Sequence, residues 1–249
     1  MTRFVRFTLN PALPVTAPDS NSDVRRGTYE DFLHAGKGAR LLPPVTPSKI
    51  VCVGRNYADH AKELGNEVPA EPLIFLKPPS SLNAHLAPIV YPAISQRVDF
   101  EGELGLVVAT RLHRATSLEE AARAVGYYTI VNDVTARDLQ KKDGQWTRGK
   151  GFDTFCPVGP WIVPVAEIEL ESLRVVTSVD GVVKQDAPVT DMLFGVGAIL
   201  HFVSQFMTLE PGDLIATGTP PGVGPVSPGA SVEVSIPGLG ALVNPVVAA

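Results

Sequence analysis

The chain alternates short apolar runs with polar turns, and the spacing inside each run separates strands from helices. KIVCVG at 49–54 predicts a strand, and NYADHAKELG at 56–65 predicts a short helix closed by Gly65. IFLK at 74–77 is a candidate strand within a proline-studded stretch reaching to Pro92, a length typical of lids and binding loops. ELGLVVAT at 103–110 predicts a strand. SLEEAARAVG at 117–126 predicts a helix, with Ser117 and Glu120 spaced as a capping box and Gly126 as its stop. YYTIVNDV at 127–134 returns as a strand, and TARDLQKK has the composition of a helix starting just after Asp133.

LRVVTSVDGVVKQ at 173–185 carries the clearest hairpin signal, because Asp180 and Gly181 supply the favoured turn between two β-branched runs. TDMLFGVGAILHFVSQFMTL at 190–209 predicts a helix, and DLIATG, SVEVSI and GALVNPVV then alternate strands with turns. Helices are sparse in this half, so the expected class is α+β, rich in mixed or antiparallel sheet. Residues 1–45 are less regular and predict a small N-terminal lobe or arm, with the main domain over 46–249.

Composition narrows the function. A formal net charge of -5 and the lack of a dense Lys/Arg run argue against nucleic acid, which leaves small-molecule chemistry as the default. No run is apolar enough to span a bilayer, so a cytoplasmic protein with no membrane partner is expected. Cys52 and Cys156 have neither metal-ligand spacing nor a secretory context and predict small buried hydrophobes.

VDFEGELGLVV at 98–108 is the anomaly. Glu101 and Glu103 flank Gly102 in a β-prone run, so their side chains share one face and repel unless solvent, a raised pKa or a cation relieves them. Asp133, where an apolar strand hands over to a helix, offers a third carboxylate. Three acids without His or Cys form an oxygen-only set that suits Mg²⁺ or Mn²⁺, with Ca²⁺ a further fit and Zn²⁺ a poorer one. The alternative is a strand whose wet face carries the two glutamates.

Arg137 and Gln140 share a helix face and suit the carboxylate and carbonyl oxygens of an acidic substrate, or Arg137 forms only a surface pair with Asp133. Lys150, between glycines, is either a charge for an oxyanion or a solvated loop lysine. His60 and Glu63 are helix neighbours that suit a general base and its orienting acid, or else a polar helix surface. In ATGTPPGVG, the amides of Gly218 and Thr219 and the Thr219 hydroxyl are the donors at the entrance to a restricted turn. GVG at 195–197 lacks a nucleotide-binding pattern and predicts close helix packing.

Taken together, VGRNYADHAKE, IFLKPPSSL, VDFEGELGLVV, NDVTARDLQ, QWTRGKGFDTFCPVGP, TDMLF and PGDLIATGTPPGVG resemble the fumarylacetoacetate hydrolase family, in the family's order and over nearly everything after residue 45. The resemblance implies a mixed β-sandwich roll, usually homodimeric, with a divalent metal, Mg²⁺ foremost, at Glu101, Glu103 and Asp133. It further implies substrate or oxyanion contacts from Arg137, Gln140, Lys150 and Thr219, and a lid dyad of His60 and Glu63. The first 45 residues resemble the short N-terminal segment of bacterial isomerases and decarboxylases of aromatic degradation, so fumarylacetoacetate is not the expected substrate. The expected substrate is a 2-oxo acid with a second carbonyl or carboxyl group, of the acylpyruvate, 2-hydroxyhepta-2,4-diene-1,7-dioate or oxaloacetate type, reacting through a metal-stabilised enolate by hydrolysis, isomerisation or decarboxylation. A catalytically silent, metal-dependent dicarboxylate-binding protein is the non-enzymatic alternative.

Overall fold

The computed structural model describes every residue except Leu64 and Asn66, and all side chains but those two and Ala61. Three sheets of ten, three and five strands dominate it. The largest runs in the order Arg25–Thr28, Phe4–Thr8, Cys156–Pro164, Val125–Asn132, Gly102–Val108, Leu214–Ala216, Ile50–Gly54 and Leu73–Lys77, with Arg40–Leu42 and Leu82–Asn83 branching from it. Most pairings are antiparallel, while Leu214–Ala216 runs parallel to Ile50–Gly54, which makes the sheet mixed. The β-rich α+β class is what the strand patterning predicts.

The central strands are buried and largely apolar because both of their faces are covered. Leu104, Leu106 and Val108 join one core with Ile199, Leu200 and Val203 of the helix Val196–Ser204. Val107, on the opposite face, packs instead with Ile50, Cys52, Cys156 and Leu214. Alternation thus sorts one strand's residues between two cores. Both cysteines are buried there, as their apolar settings predict.

Several boundaries move. The helix that Ser117 caps covers Leu118–Arg123 and stops at Ala124, because Val125 already begins the next strand; Gly126 lies within that strand and is no helix stop. Glu120 does not complete a capping box, since its carboxylate takes the amide and hydroxyl of Thr116. The long apolar run 190–209 starts as a 3-10 turn at Val189–Asp191, and its helix is confined to Val196–Ser204. GVG does serve close packing: a Cβ on Gly197 would lie 2.7 Å from the Leu118 carbonyl oxygen. The hairpin forms as expected, with Asp180 at φ 51° and Gly181 at φ 78°.

Within residues 1–45, the strand Phe4–Thr8 pairs with both Arg25–Thr28 and Arg40–Leu42, and Phe4 pairs with Ile162 of the main sheet. Leu64, inside the helix expected at 56–65, lies outside the described residues; the described helix is Ala58–Glu63. No helix among the described residues is long and apolar enough to cross a membrane.

Candidate active site

Strand register brings the three acids together. Gly102–Val108 pairs antiparallel with Val125–Asn132, with Glu103 opposite Val131 and Gly102 opposite Asn132. One step further, the Asp133 amide donates to the Glu101 carbonyl at 2.8 Å, and the Asn132 side chain accepts from the Glu101 amide at 3.0 Å. Glu101, Glu103 and Asp133 therefore each present a carboxylate oxygen within 4.8 Å of the others, and all three are buried. The strand carrying Glu103 has no wet face, so the solvated alternative fails.

Gly102 allows this spacing. A Cβ there would sit 2.1 Å from Thr177 Oγ1 and 2.9 Å from Val234 Cγ1, so any side chain would push the five-stranded sheet off the strand that bears the acids.

Three cations answer the three acids unequally. Lys150 Nζ donates to Glu101 Oε2 at 2.7 Å and Asp133 Oδ2 at 2.6 Å. Lys77 Nζ donates to Asp133 Oδ1 at 2.6 Å and to the Val134 carbonyl at 3.1 Å. Arg137 Nη2 donates to the remaining Glu101 oxygen at 2.5 Å. Glu103 receives only the Gly218 amide, at 2.7 Å, among the described residues.

The electrostatics follow from that distribution. Burial pushes Glu101 up, but Lys150 and Arg137 outweigh it and hold its carboxyl well below the usual range. Burial also pushes Glu103 up, and there the neighbouring Asp133 and Glu101 add to the shift, leaving it well above 4.5. Burial disfavours the Lys150 charge, yet Asp133 and Glu101 prevail and hold the ammonium protonated. A cation that reached Glu103 would relieve the carboxylate of the three that has no cationic hydrogen-bond partner among the described residues, and the hard oxygen donors fit a divalent ion.

Lys150 ends the short helix Thr147–Lys150 and is 2% exposed, which rules out a solvated loop lysine. Arg137 opens the helix Arg137–Asp143, after a two-residue strand at Thr135–Ala136 that delays the helix beyond its expected start. It does not pair with Asp133. Its Nε donates to Asp99 at 2.9 Å and its Nη1 to Gln140 Oε1 at 2.9 Å, leaving the Gln140 amide group as a donor.

His60, 4% exposed, lies on the helix Ala58–Glu63 with Nδ1 3.4 Å from Glu63 Oε2. Burial lowers its pKa from 6.5, more strongly than Glu101 and Glu63 raise it, so the imidazole is neutral at neutral pH. Glu63 also accepts from the Gly222 amide at 3.1 Å, tying this helix to the loop after Ala216. In that loop the Gly218 amide is taken by Glu103, and the Thr219 hydroxyl donates to the Gly102 carbonyl at 2.8 Å. Of the three donors expected there, only the Thr219 amide makes no hydrogen bond among the described residues.

His60, the three acids, Arg137, Gln140, Lys150 and Thr219 line one cavity of about 470 Å³, a volume suited to a small metabolite. Glu63 is not in its wall and touches it through His60. Sequence reasoning missed three residues of this assembly. Lys77 ends the apolar strand LIFLK, and a lone cation in such a run is a usable signal of burial with a partner. Asp99 stands two residues before Glu101 at the same strand period, which is a local signal, whereas Gln185, which accepts from the Gly102 amide at 3.0 Å, acts across the fold and nothing local in the sequence marks it.

A model of the fumarylacetoacetate (FAA) hydrolase C-terminal domain matches residues 49–247. Over 199 residues the chain is 46% identical to the mitochondrial oxaloacetate decarboxylase of Dictyostelium discoideum, covering 78% of this chain and 91% of that one. The structure of 2-hydroxyhepta-2,4-diene-1,7-dioate isomerase from Mycobacterium marinum superimposes with a TM-score of 0.82 at 40% identity, over 100% of this chain and 99% of that one. Fumarylpyruvate hydrolase from Pseudomonas aeruginosa, solved with Mn²⁺ and pyruvate, gives a TM-score of 0.77 at 31% identity, over 87% and 94% of the two chains. Sequence, fold and the acid cluster agree: the chain is an enzyme of the fumarylacetoacetate hydrolase family.

Proposed function

We propose that this enzyme uses a divalent metal to isomerise or decarboxylate a small 2-oxo dicarboxylate of the oxaloacetate or 2-hydroxyhepta-2,4-diene-1,7-dioate type. One observation carries the reading: three converging carboxylates share a cavity with anion-binding groups and a neutral imidazole. In this reading residues 46–249 form the catalytic unit and residues 1–45 an accessory segment. Glu101, Glu103 and Asp133 would hold Mg²⁺, with Mn²⁺ or Ca²⁺ suiting the same oxygens. When bound, the ion supplies positive charge that stabilises an enolate oxygen.

The protein's own groups do the rest. Arg137, immobilised by Asp99, Glu101 and Gln140, keeps spare N–H bonds for a carboxylate, and the Gln140 amide donates beside it. The Thr219 amide offers one more donor. Lys150 stays charged and steadies developing negative charge. His60 takes a proton from the substrate carbon and returns it elsewhere, with Glu63 on Nδ1 setting the tautomer that leaves Nε2 as the base. The same base would activate water in a hydrolysis.

The test is turnover of oxaloacetate, 2-hydroxyhepta-2,4-diene-1,7-dioate and acylpyruvates by the purified protein with Mg²⁺ or with a chelator, with products identified. Mg²⁺-dependent decarboxylation or tautomerisation is expected, and His60→Ala should bind metal yet lose isomerisation. Absence of turnover across the panel would overturn the proposal. A homodimer is part of the same reading, supported by the family resemblance, and a single-chain mass by light scattering would refute it.

A further inference from the structure

We propose that Gln185 is a positioning residue that locks the Gly102 backbone, between the two glutamates, to the substrate-carboxylate loop; the part it assigns to Thr219 rests on the function proposed above. Gln185 lies on the strand Val182–Pro188 of the five-stranded sheet, where Val182, Val183, Lys184 and Asp186 are exposed and Gln185 is 1% exposed. An apolar residue would fill that position without the cost of burying an amide. Here the amide is used instead. Its Oε1 accepts from the Gly102 amide at 3.0 Å, and its Nε2 donates to Thr219 Oγ1 at 2.7 Å and to the Pro220 carbonyl at 2.8 Å.

These bonds close a ring. The Thr219 hydroxyl accepts from the Gln185 amide and donates its own proton to the Gly102 carbonyl, so the N–H of Gly102 is held by Gln185 and its C=O by the loop residue that Gln185 orients. Gly102 sits between Glu101 and Glu103, and the amide before Thr219, that of Gly218, holds Glu103. Because Gln185 supplies the donor, the Thr219 hydroxyl is committed to Gly102, and the group left for a substrate carboxylate is the Thr219 amide. Gln185 therefore sets which donor that loop presents and holds it at a fixed distance from the acids. A Cβ on Gly102 would approach Gln185 Oε1 to 3.3 Å, so the glycine and the buried amide belong to one device.

Two variants separate its halves. Gln185→Glu keeps an acceptor for the Gly102 amide but has at most one O–H where the amide had two N–H groups, so at least one of the bonds to Thr219 Oγ1 and the Pro220 carbonyl is lost. Gln185→Met keeps the volume and loses all three bonds. Mn²⁺ affinity is measured without substrate, and oxalate affinity is measured on the Mn²⁺-loaded protein. Gln185→Glu is expected to bind Mn²⁺ within about threefold of the parent and oxalate roughly tenfold more weakly, whereas Gln185→Met weakens both by roughly tenfold. The proposal is overturned if Gln185→Glu binds oxalate like the parent, or if its Mn²⁺ affinity falls as far as its oxalate affinity. Should Gln185→Met fail to fold, those two affinities of Gln185→Glu decide alone. A parent protein that binds Mn²⁺ and oxalate but turns over no substrate defeats the proposed function and leaves this comparison intact.

Discussion

Asp213 and Glu103 are buried to the same depth, at 0% and 1% exposure, Asp213 immediately before the strand Leu214–Ala216 and Glu103 on the neighbouring strand Gly102–Val108, yet the fold treats them oppositely. Asp213 Oδ1 accepts from the Ser48 amide and hydroxyl and the Lys49 amide, while Oδ2 accepts from Lys49 Nζ and the Glu210 amide. Its charge is spent on fastening the start of Ile50–Gly54 beside Leu214–Ala216. Glu103 has one backbone donor and two carboxylate neighbours. A buried acid whose coordination the protein completes is a structural knot, and one left incomplete is a demand for something from outside.

Exchanging the charge at each site is the harshest test of that contrast. Glu103→Gln is expected to cut metal-dependent turnover by about a thousandfold or more while leaving the metal-free melting temperature unchanged or higher. Asp213→Ala should do the reverse: it strands five donors and costs roughly 3 kcal/mol of stability, while the fraction still folded keeps its turnover. Melting curves and rates on the same preparations check both. A Glu103→Gln protein that melts as early as Asp213→Ala would make Glu103 another knot.

A smaller effect is expected in the pH dependence of stability. Glu103 binds its proton more tightly folded than unfolded, so its contribution is fully present below about 4.5 and is lost as pH rises through the raised folded value. Glu101 has the opposite sign, but its value is depressed, so above 4.5 its contribution is already complete and constant. Metal-free protein should therefore lose stability between mildly acidic and neutral pH relative to Glu103→Gln. Mg²⁺ should remove the difference, because the ion binds only the deprotonated site. Denaturant melts of both proteins at several pH values, with and without Mg²⁺, measure it; parallel curves in the absence of metal would place no charge stress on Glu103.

The same contrast explains what could be read from the amino-acid order alone. Glu101, Glu103 and Asp133 were legible because two sit at strand period and the third ends a strand, and antiparallel register carries that local signal directly into space. His60 and Glu63 were legible through helix period. The hairpin at Asp180–Gly181 is set by its own turn residues. Lys77, Asp213 and Gln185 were not legible, because the partners Asp133, Ser48 and Thr219 that place them are 34 to 165 residues away in the chain and the sequence alone carries no register between such segments. Lys150 needed the short helix Thr147–Lys150 to turn a flexible-looking GKG into a buried cation. The stop assigned to Gly126 failed for a related reason: the following strand, paired over seven residues with Gly102–Val108, overrides a local breaker.

The smallest effect should come from Lys49, which tests whether Asp213 is a knot held by many threads or a simple ion pair. Its side chain is 20% exposed and supplies one of five donors, so Lys49→Met removes a partly solvated charge and leaves the Ser48 hydroxyl and three backbone amides in place. A loss of about 1 kcal/mol or less is expected by denaturant melting, with no change in Mg²⁺-dependent rate. Lys150→Met, by contrast, removes a group that bridges two of the crowded acids, and there the turnover should move. A loss at Lys49 as large as that of Asp213→Ala would mean that the ammonium alone neutralises Asp213. The distinction between a completed and an incomplete buried carboxylate would then lie in charge pairing, and the number of hydrogen bonds would have no separate weight.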